Sequence, residues 1–348
     1  MRHLSIGFHS IKGGVGRTTA ACFMAMRLAQ AGLKVLLVDC DFEAPTLDTL
    51  LRVNPELKGQ KSVTGIDTFL KRFQNPDTSV NGAEASLRGV EDVILNVGKL
   101  WLEEDWITRV EPTVASSSTT AILAKRDALL NEDGTFKGRG ELFLLPCSRN
   151  RHSHLTLDYS SKDRATSLDR AIDRVVTRAA KHHEIEVVII DMRNGLSDAA
   201  ALSGKYCNML VTVFNRKYAH IQMTGLAFTW YSDIQNWFEK PVFNLYTLDQ
   251  GIQESEADYW RKLKTELAGG YTESMKQSLW FQAEGIKLTL GSLPFTDPLK
   301  ISDFALEGYD PKDIKEPYET LSRIARALRG KYAIYGNLIP KNTVKAGK

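Results

Sequence analysis

The sequence predicts an α/β protein with a doubly wound, mostly parallel sheet that carries helices on both faces. Short apolar runs recur along the chain, and most are continuous rather than alternating, which is typical of strands covered on both sides. Helical patterns lie between these runs, as expected when parallel strands are joined by crossover helices. The predicted strands are residues 4–8, 35–38, 142–145, 187–190, 209–214, 242–248 and 287–293.

Three helices are predicted between and after these strands, at residues 18–31, 165–181 and 318–329. Gly32 is well placed to end the first helix, because glycine readily adopts the left-handed conformation that follows a helix. In a sheet of this kind ligands bind at the carboxyl ends of the strands. We therefore expect the functional residues to follow the strands directly.

About 100 residues separate the second and third predicted strands, far more than one crossover helix requires. Helical patterns at 65–73 and 90–102, a Ser/Thr tract at 116–120 and a turn signal at 131–134 lie within this stretch. We interpret residues 52–140 as an insertion after the second strand, partly ordered and partly mobile. It is either a spacer or a lid or partner-binding element. Residues 1–348 are otherwise expected to form one domain, with residues 331–348 as a tail.

Composition narrows the class of protein. A net charge of +3 neither requires nor excludes a nucleic-acid partner. There is no signal peptide and no apolar run long enough to span a membrane, which predicts a cytoplasmic protein. The four cysteines have no metal-ligand spacing and are expected to be buried free thiols: Cys22, Cys40, Cys147 and Cys207.

The stretch IKGGVGRTT, residues 11–19, has the composition of a phosphate-binding loop. Gly13, Gly14 and Gly16 follow a predicted strand and precede a predicted helix, so that backbone amides can cradle phosphate oxygens. The helix N-terminus adds partial positive charge, and Thr18 supplies a hydroxyl where magnesium is ligated. Arg17 stands where such loops carry lysine.

This loop resembles the deviant Walker A signature of ParA/MinD-type ATPases, K-G-G-x-G-K-[ST]-T, which are P-loop NTPases. In that family the first lysine, matched by Lys12, reaches across a dimer to the partner's nucleotide. The resemblance implies ATP and Mg²⁺ as ligands and a homodimer with nucleotide at its interface. It assigns to the nucleotide Lys12, Gly13, Gly14, Val15, Gly16, Arg17, Thr18 and Thr19.

Two further stretches resemble the carboxylate motifs of the same family. In VLLVDCD, Asp39 matches a carboxylate near the magnesium shell, and Asp41 matches the residue that orients the attacking water. In VVIIDMRNG, Asp191 matches the carboxylate that holds magnesium through water. The resemblance thus gives Lys12 and Asp41 catalytic roles. Arg193 departs from the family, which often has proline there, and this places the geometry of the switch region in question.

The stretch LGSLPFTDP resembles the family's last strand and the loop that covers adenine. Pro294 and Phe295 are candidates for contact with the base, and Asn244 is a weaker candidate. A purely structural role is an equal alternative for these residues.

The function expected from these residues is an ATP-dependent dimerisation switch with slow hydrolysis. Arginine keeps the positive charge of lysine but is a longer planar fork, so Arg17 must displace the phosphates or swing aside. One alternative is a non-hydrolysing nucleotide-binding scaffold or sensor. Another is an ATP-dependent, non-specific DNA-binding partition factor, for which the basic cluster Arg323, Arg326, Arg329 and Lys331 is the candidate surface. An unidentified protein partner is expected at residues 52–140, and the cellular process stays open.

Overall fold

An eight-stranded sheet organises the part of the chain that the structure describes. The computed structural model describes residues 3–53, 64–74, 86–103, 106, 116–148, 162–215, 223, 242–247, 289–293 and 305–309. The strands are β1 (Leu4–His9), β2 (Lys34–Cys40), β3 (Leu95–Asn96), β4 (Glu141–Leu145), β5 (Val187–Met192), β6 (Met209–Asn215), β7 (Val242–Thr247) and β8 (Thr289–Leu293). All seven predicted strands are present, and β3 is an addition to them.

The strand order is β3-β4-β2-β5-β1-β6-β7-β8. Every neighbouring pair is parallel except β3 and β4, which pair antiparallel. The chain enters the sheet near its middle with β1, which lies between β5 and β6. The predicted doubly wound, mostly parallel sheet is therefore confirmed.

Helices connect the strands and cover the sheet. They are α1 (Arg17–Gln30), α2 (Leu47–Leu50), α3 (Ile66–Gln74), α4 (Val97–Trp101), α5 (Ser116–Leu129), α6 (Lys162–His182), α7 (Asp198–Tyr206) and α8 (Ala305–Gly308). The predicted first helix is α1, and Gly32 follows it with φ of 88°, as expected. The predicted helix at 165–181 lies within α6. The predicted helix at 318–329 lies outside the described residues.

Two apolar layers hold the sheet between its helices. Along β2, Val35 and Leu37 join the cluster that contains α1, whereas Leu36 and Val38 join the cluster that contains α6. All four side chains are fully buried. Because successive side chains of a strand point to opposite faces, this burial explains the continuous apolar runs in the sequence. The helices on both faces are thus confirmed.

One predicted helix within the long stretch between β2 and β4 was wrong. Residues 90–102 do not form a continuous helix but a 3-10 turn (Glu91–Val93), the short strand β3 and then α4. The side chain of Asn96 accepts a hydrogen bond from the backbone N–H of Lys99 at 3.1 Å. An asparagine in this capping position starts a helix, so α4 begins only after the strand.

The described residues of this stretch contribute to the core of the sheet. Trp101 and Trp106 are fully buried in the cluster that contains α1, and Trp101 Nε1 donates to the Leu51 carbonyl at 2.8 Å. The Ser/Thr tract begins α5, and the predicted turn at 131–134 is present, with Gly134 at φ of 81°. The interpretation of residues 52–140 as an insertion, and of 331–348 as a tail, stays a prediction.

The four cysteines are buried and free, as predicted: Cys22, Cys40, Cys147 and Cys207. Burial raises the pKa of the Cys22 thiol well above its ordinary value, so that the thiol stays protonated and unreactive. Within the described residues, the structure contains no helix with the length and apolar character that crossing a membrane demands.

Candidate nucleotide-binding site

The glycine loop joins the buried strand β1 to α1 at the carboxyl edge of the sheet. Gly14 and Gly16 have φ values of 73° and 80°, a left-handed conformation that favours glycine over residues with a Cβ atom. Gly16 is the N-cap of α1, no side chain caps this helix N-terminus, and its first turn contains no acidic residue. The N–H groups of that turn are therefore free of competing side-chain acceptors, as an anion site requires.

Parallel pairing brings the predicted carboxylates to the same edge. Asp39 of β2 and Asp191 of β5 are direct register partners, and Asp191 also pairs with Phe8 of β1. Asp39 and Asp191 are each 1% exposed. The structure thus gathers two carboxylates beside the strand that leads into the glycine loop.

Arg17 turns away from the glycine loop and toward these carboxylates. Its Nε donates to Asp191 Oδ1 at 2.6 Å, and its Nη2 donates to Asp41 Oδ2 at 2.9 Å. Nη2 also lies 3.3 Å from Thr18 Oγ1. The side chain is 7% exposed, so this is a buried ion pair rather than a surface one. The sequence left two possibilities for the guanidinium, to displace the phosphates or to swing away from them. In the structure it lies away from the glycine loop.

The charges in this cluster are unequal, since the guanidinium contacts the carboxylates of Asp41 and Asp191 and the Asp39 carboxylate lies beside Asp191. Burial raises the pKa of Asp191 above its ordinary value, and the neighbouring Arg17 opposes that rise. Burial, with the nearby Asp191 carboxylate, raises the pKa of Asp39 well above its ordinary value. Attraction to Asp191 and Asp41 raises the pKa of Arg17 despite the opposing effect of its burial. Arg17 is therefore the group that compensates this buried negative charge.

Asp39 has its own hydrogen-bond partners in the backbone. Oδ1 accepts from the N–H of Asp41 at 3.1 Å, and Oδ2 accepts from the N–H groups of Thr46 and Leu47 at 3.2 Å each. Leu47 is the first residue of α2, so Asp39 fixes the start of that helix. These bonds hold the loop after β2, which carries Asp41, against the edge of the sheet.

The oxygen atoms of Thr18, Asp39 and Asp191 are the kind of ligand that Mg²⁺ prefers. In the present conformation, however, Arg17 is hydrogen-bonded to Asp191 and Thr18, and no set of three or more His, Cys, Asp or Glu side chains among the described residues is arranged to hold a metal ion. The donor chemistry fits a divalent cation, and Arg17 contacts two of these three donors, Thr18 and Asp191.

A contact that the sequence did not predict ties the loop after β5 to the start of the glycine loop. His9 Nε2 lies 3.0 Å from the Gly195 carbonyl, and the Gly195 N–H donates to the Ser10 carbonyl at 2.9 Å. Burial lowers the pKa of His9 to about 3, so the ring is neutral at physiological pH. Because a carbonyl only accepts, the proton of the neutral ring is on Nε2. His9 carried no signal in the sequence beyond its place at the end of a predicted strand.

The remaining charged residues lie around the rim of the site. Arg193, in the loop after β5, forms an ion pair with Glu43 in the loop after β2. Lys12 is exposed at the start of the glycine loop. A Cβ atom on Gly13 would lie 3.0 Å from Asn194 Nδ2, so the two loops approach closely.

Of the three candidates for contact with the base, the structure describes only Asn244. Asn244 lies in β7, in register with Thr212 of β6 and Thr289 of β8. Pro294 and Phe295 follow β8 directly and lie outside the described residues. Their proposed contact with adenine stays a prediction.

Sequence comparison identifies the family of this fold and loop. The CobQ/CobB/MinD/ParA nucleotide binding domain matches residues 6–343 of the chain. The chain belongs to this family. The predicted membership of the ParA/MinD-type family is thereby confirmed. No curated protein matches the sequence.

Solved structures of ParA/MinD-type proteins share the fold. A plasmid partition protein of Borrelia burgdorferi bound to AMPPNP aligns with a TM-score of 0.56 at 16% identity, covering 93% of this chain and 99% of that protein. The cell division ATPase MinD of Pyrococcus furiosus aligns with a TM-score of 0.53 at 15% identity, covering 93% and 100%. A Cyanothece McdA variant in complex with ATP gives 0.54 at 13% identity, covering 93% and 96%. At these identities the likeness is one of fold.

Proposed function

We propose that this member of the CobQ/CobB/MinD/ParA family binds ATP with Mg²⁺ and acts as a nucleotide-dependent dimerisation switch with slow hydrolysis. The observation that carries the proposal is the meeting of two features at one edge of the sheet. The uncapped N-terminus of α1 offers N–H groups to phosphates, and Asp39, Asp41 and Asp191 cluster beside it. An anion site next to buried carboxylates suits a polyphosphate that is bound together with a cation.

The solved structures of the same fold support the choice of nucleotide. One is a plasmid partition protein bound to AMPPNP, and another is McdA in complex with ATP. Mg²⁺ is the cation that we propose to accompany ATP, because Thr18, Asp39 and Asp191 supply oxygen donors. When bound, it would neutralise charge on the phosphates.

Lys12 supports the dimeric part of the proposal. It is exposed at the start of the loop, whereas Arg17 is buried within the site. An exposed lysine beside the phosphate position is free to meet a second chain, which is the role that the resemblance implies for it. In this proposal two chains enclose two nucleotides, and hydrolysis releases the dimer.

Slow hydrolysis follows from the contacts of Arg17. Its guanidinium holds Asp41, the residue proposed to orient the attacking water, at 2.9 Å. While this ion pair persists, that carboxylate is not available to a water molecule. Since phosphoryl transfer depends on positioning, any time that Asp41 spends paired with Arg17 lowers the rate.

The proposal is tested by measuring molar mass in solution without nucleotide, with ADP, with ATP and with a slowly hydrolysed ATP analogue. We expect a monomer without nucleotide and with ADP, and a dimer with the analogue. With ATP the dimer should persist for minutes before it dissociates. A monomer in every condition would exclude the switch.

The same contacts favour one alternative, a nucleotide-binding scaffold or sensor that does not hydrolyse ATP. Arg17 is paired with both Asp41 and Asp191, and a permanent ion pair would leave binding without turnover. A phosphate-release assay with Asp41→Ala as the matched control separates the two. If the wild type releases phosphate and Asp41→Ala does not, the result supports the switch. If both proteins release phosphate only at the background rate, the result supports the scaffold.

A further inference from the structure

The Arg17 guanidinium contacts two of the three side chains that are proposed to hold a divalent cation, Thr18 and Asp191. Nη2 lies 2.9 Å from Asp41 Oδ2, 3.3 Å from Thr18 Oγ1 and 3.5 Å from Asp191 Oδ2. Nε lies 2.6 Å from Asp191 Oδ1. The guanidinium thus contacts two carboxylates and the one hydroxyl of the loop's predicted metal position.

We propose that Arg17 is the resident cation of the nucleotide-free site, and that a divalent cation binds at Thr18, Asp39 and Asp191 only after Arg17 has left Thr18 and Asp191. A guanidinium and a divalent cation cannot share the same lone pairs, and at this distance their charges repel strongly. The pair of Arg17 and Asp191 is almost fully buried, so solvent screens little of that repulsion.

The position of Arg17 in the chain allows its side chain to move from the carboxylates to the proposed phosphate position. It is the first residue of α1, so its backbone lies at the helix N-terminus where phosphates are proposed to bind. A long planar side chain at this point reaches either the carboxylates or a phosphate, and each offers it paired hydrogen bonds. A lysine carries all its N–H donors on one nitrogen, so it lacks the planar fork that here contacts Asp191 through Nε and Asp41 through Nη2.

An order of binding follows from this exchange, and this step rests on the proposed function. Nucleotide binds first and draws Arg17 to its phosphates. While Arg17 contacts the phosphates, Asp41 and Asp191 are free of it and the divalent cation enters second; because the exchange is reversible, Arg17 still returns to Asp41 for part of the time. Arg17 thereby couples the phosphate position to the cation position through one side chain.

The test uses Mn²⁺ as the probe and the nucleotide-free full chain. Binding is measured by the loss of the free Mn²⁺ signal in electron paramagnetic resonance. We expect Arg17→Gln to bind Mn²⁺ at least about tenfold more tightly than the wild type, because a positive charge within about 4 Å of the carboxylates has been removed. Equal affinities would overturn the proposal.

The matched control is Arg193→Gln, which removes one positive charge from the adjacent loop. Arg193 pairs with Glu43 and not with Asp41 or Asp191. This variant should bind Mn²⁺ as weakly as the wild type. An increase equal to that of Arg17→Gln would show a general effect of net charge and would overturn the proposal.

Thermal unfolding shows whether Arg17→Gln is folded. If it is not, Arg17→Lys takes its place, since it keeps the charge but loses the planar fork that contacts the two carboxylates through separate nitrogen atoms. Arg17→Lys should bind Mn²⁺ more tightly than the wild type, and an unchanged affinity would count against Arg17 as the resident cation.

The order of binding has its own measurement, with a fluorescent ATP analogue in EDTA and then in Mg²⁺. Binding by the wild type in EDTA supports the order, and binding only in Mg²⁺ overturns it. No binding in either condition would refute the proposed function. The nucleotide-free Mn²⁺ comparison would still decide whether Arg17 is the resident cation.

Discussion

Arg17 donates through Nε to Asp191 Oδ1 at 2.6 Å, which joins the first residue of α1 to the carboxyl end of β5. The sequence assigns Arg17 to the phosphates, yet its side chain lies against the carboxylates. One residue thus connects the phosphate-binding loop of the proposed nucleotide site with the carboxylates that follow the strands. The first two predictions concern this contact.

Changing Arg17 to Lys is expected to raise ATP turnover. Lysine is shorter and carries a single nitrogen, so it lacks the planar fork that contacts Asp191 through Nε and Asp41 through Nη2, and Asp41 becomes available to a water molecule more of the time. The measurement is steady-state phosphate release at saturating ATP. A rate that falls or does not change would show that Arg17 supports hydrolysis in this protein at least as well as a lysine would.

Changing Arg17 to Ala is expected to lower the free energy of unfolding at pH 7 by about 3–5 kcal/mol, because it leaves buried carboxylates without a counter-charge. The loss should become smaller as the pH falls, since burial raises the pKa of Asp191 and protonation then removes the uncompensated charge. Urea denaturation at pH 7 and at a series of lower pH values measures both effects.

Arg193→Ala is the control for this prediction. The ion pair of Arg193 and Glu43 is partly exposed, with side-chain exposures of 30% and 53%. Such pairs contribute about 0–1 kcal/mol. Equal losses of stability in the two variants would contradict the assignment of Arg17 as the compensating charge.

The sheet was predictable because burial on both faces leaves a continuous apolar run, as in residues 35–38 and 187–190. The short strand Leu95–Asn96 was not, since two residues are too few for a periodic pattern. The candidate carboxylates were identified by resemblance and by their place after strands. Parallel register then brought Asp39 and Asp191 side by side.

The direction of the Arg17 side chain could not be predicted from the sequence. Its two acceptors lie 24 and 174 residues away, and the loop motif predicts only that a cation is present. His9 was missed for a similar reason. Its partner is the backbone carbonyl of Gly195. A hydrogen bond to a backbone carbonyl in a distant loop leaves no residue pattern in the sequence.

His9 predicts a pH dependence of stability. Its pKa is lowered from 6.5 to about 3 by burial, so below pH 6.5 the unfolded chain takes up a proton that the folded chain does not. Stability contributed by this group is complete above pH 6.5 and is lost as the pH falls toward 3. The expected slope approaches about 1.4 kcal/mol per pH unit.

The matched variant is His9→Gln, whose amide can donate to the Gly195 carbonyl but does not titrate. Urea denaturation of both proteins at several values between pH 7.5 and 4.5 gives the difference in free energy of unfolding. The wild type should lose stability relative to His9→Gln as the pH falls. Parallel curves would show that His9 is not held neutral by burial.

Trp101 tests the role of residues 52–140 in the core. It is fully buried, and its Nε1 donates to the Leu51 carbonyl at 2.8 Å. Trp101→Ala is expected to cost about 3–5 kcal/mol by leaving a cavity. Trp101→Phe keeps most of the apolar volume and should cost less. A loss below about 1 kcal/mol for Trp101→Ala, measured by urea denaturation, would favour a spacer loosely attached to the sheet.

Lys12 separates nucleotide binding from dimerisation. Its side chain is exposed, while the groups that face the proposed phosphate position are the backbone amides of the loop and α1. Lys12→Ala is therefore expected to bind a fluorescent ATP analogue within a few-fold of the wild type, yet to stay monomeric with a slowly hydrolysed analogue. Lys137→Ala, which removes an exposed lysine from a turn far along the chain, should still dimerise. Molar mass and binding are measured on the same samples, because loss of both would place Lys12 in its own chain's phosphate site rather than in that of a partner.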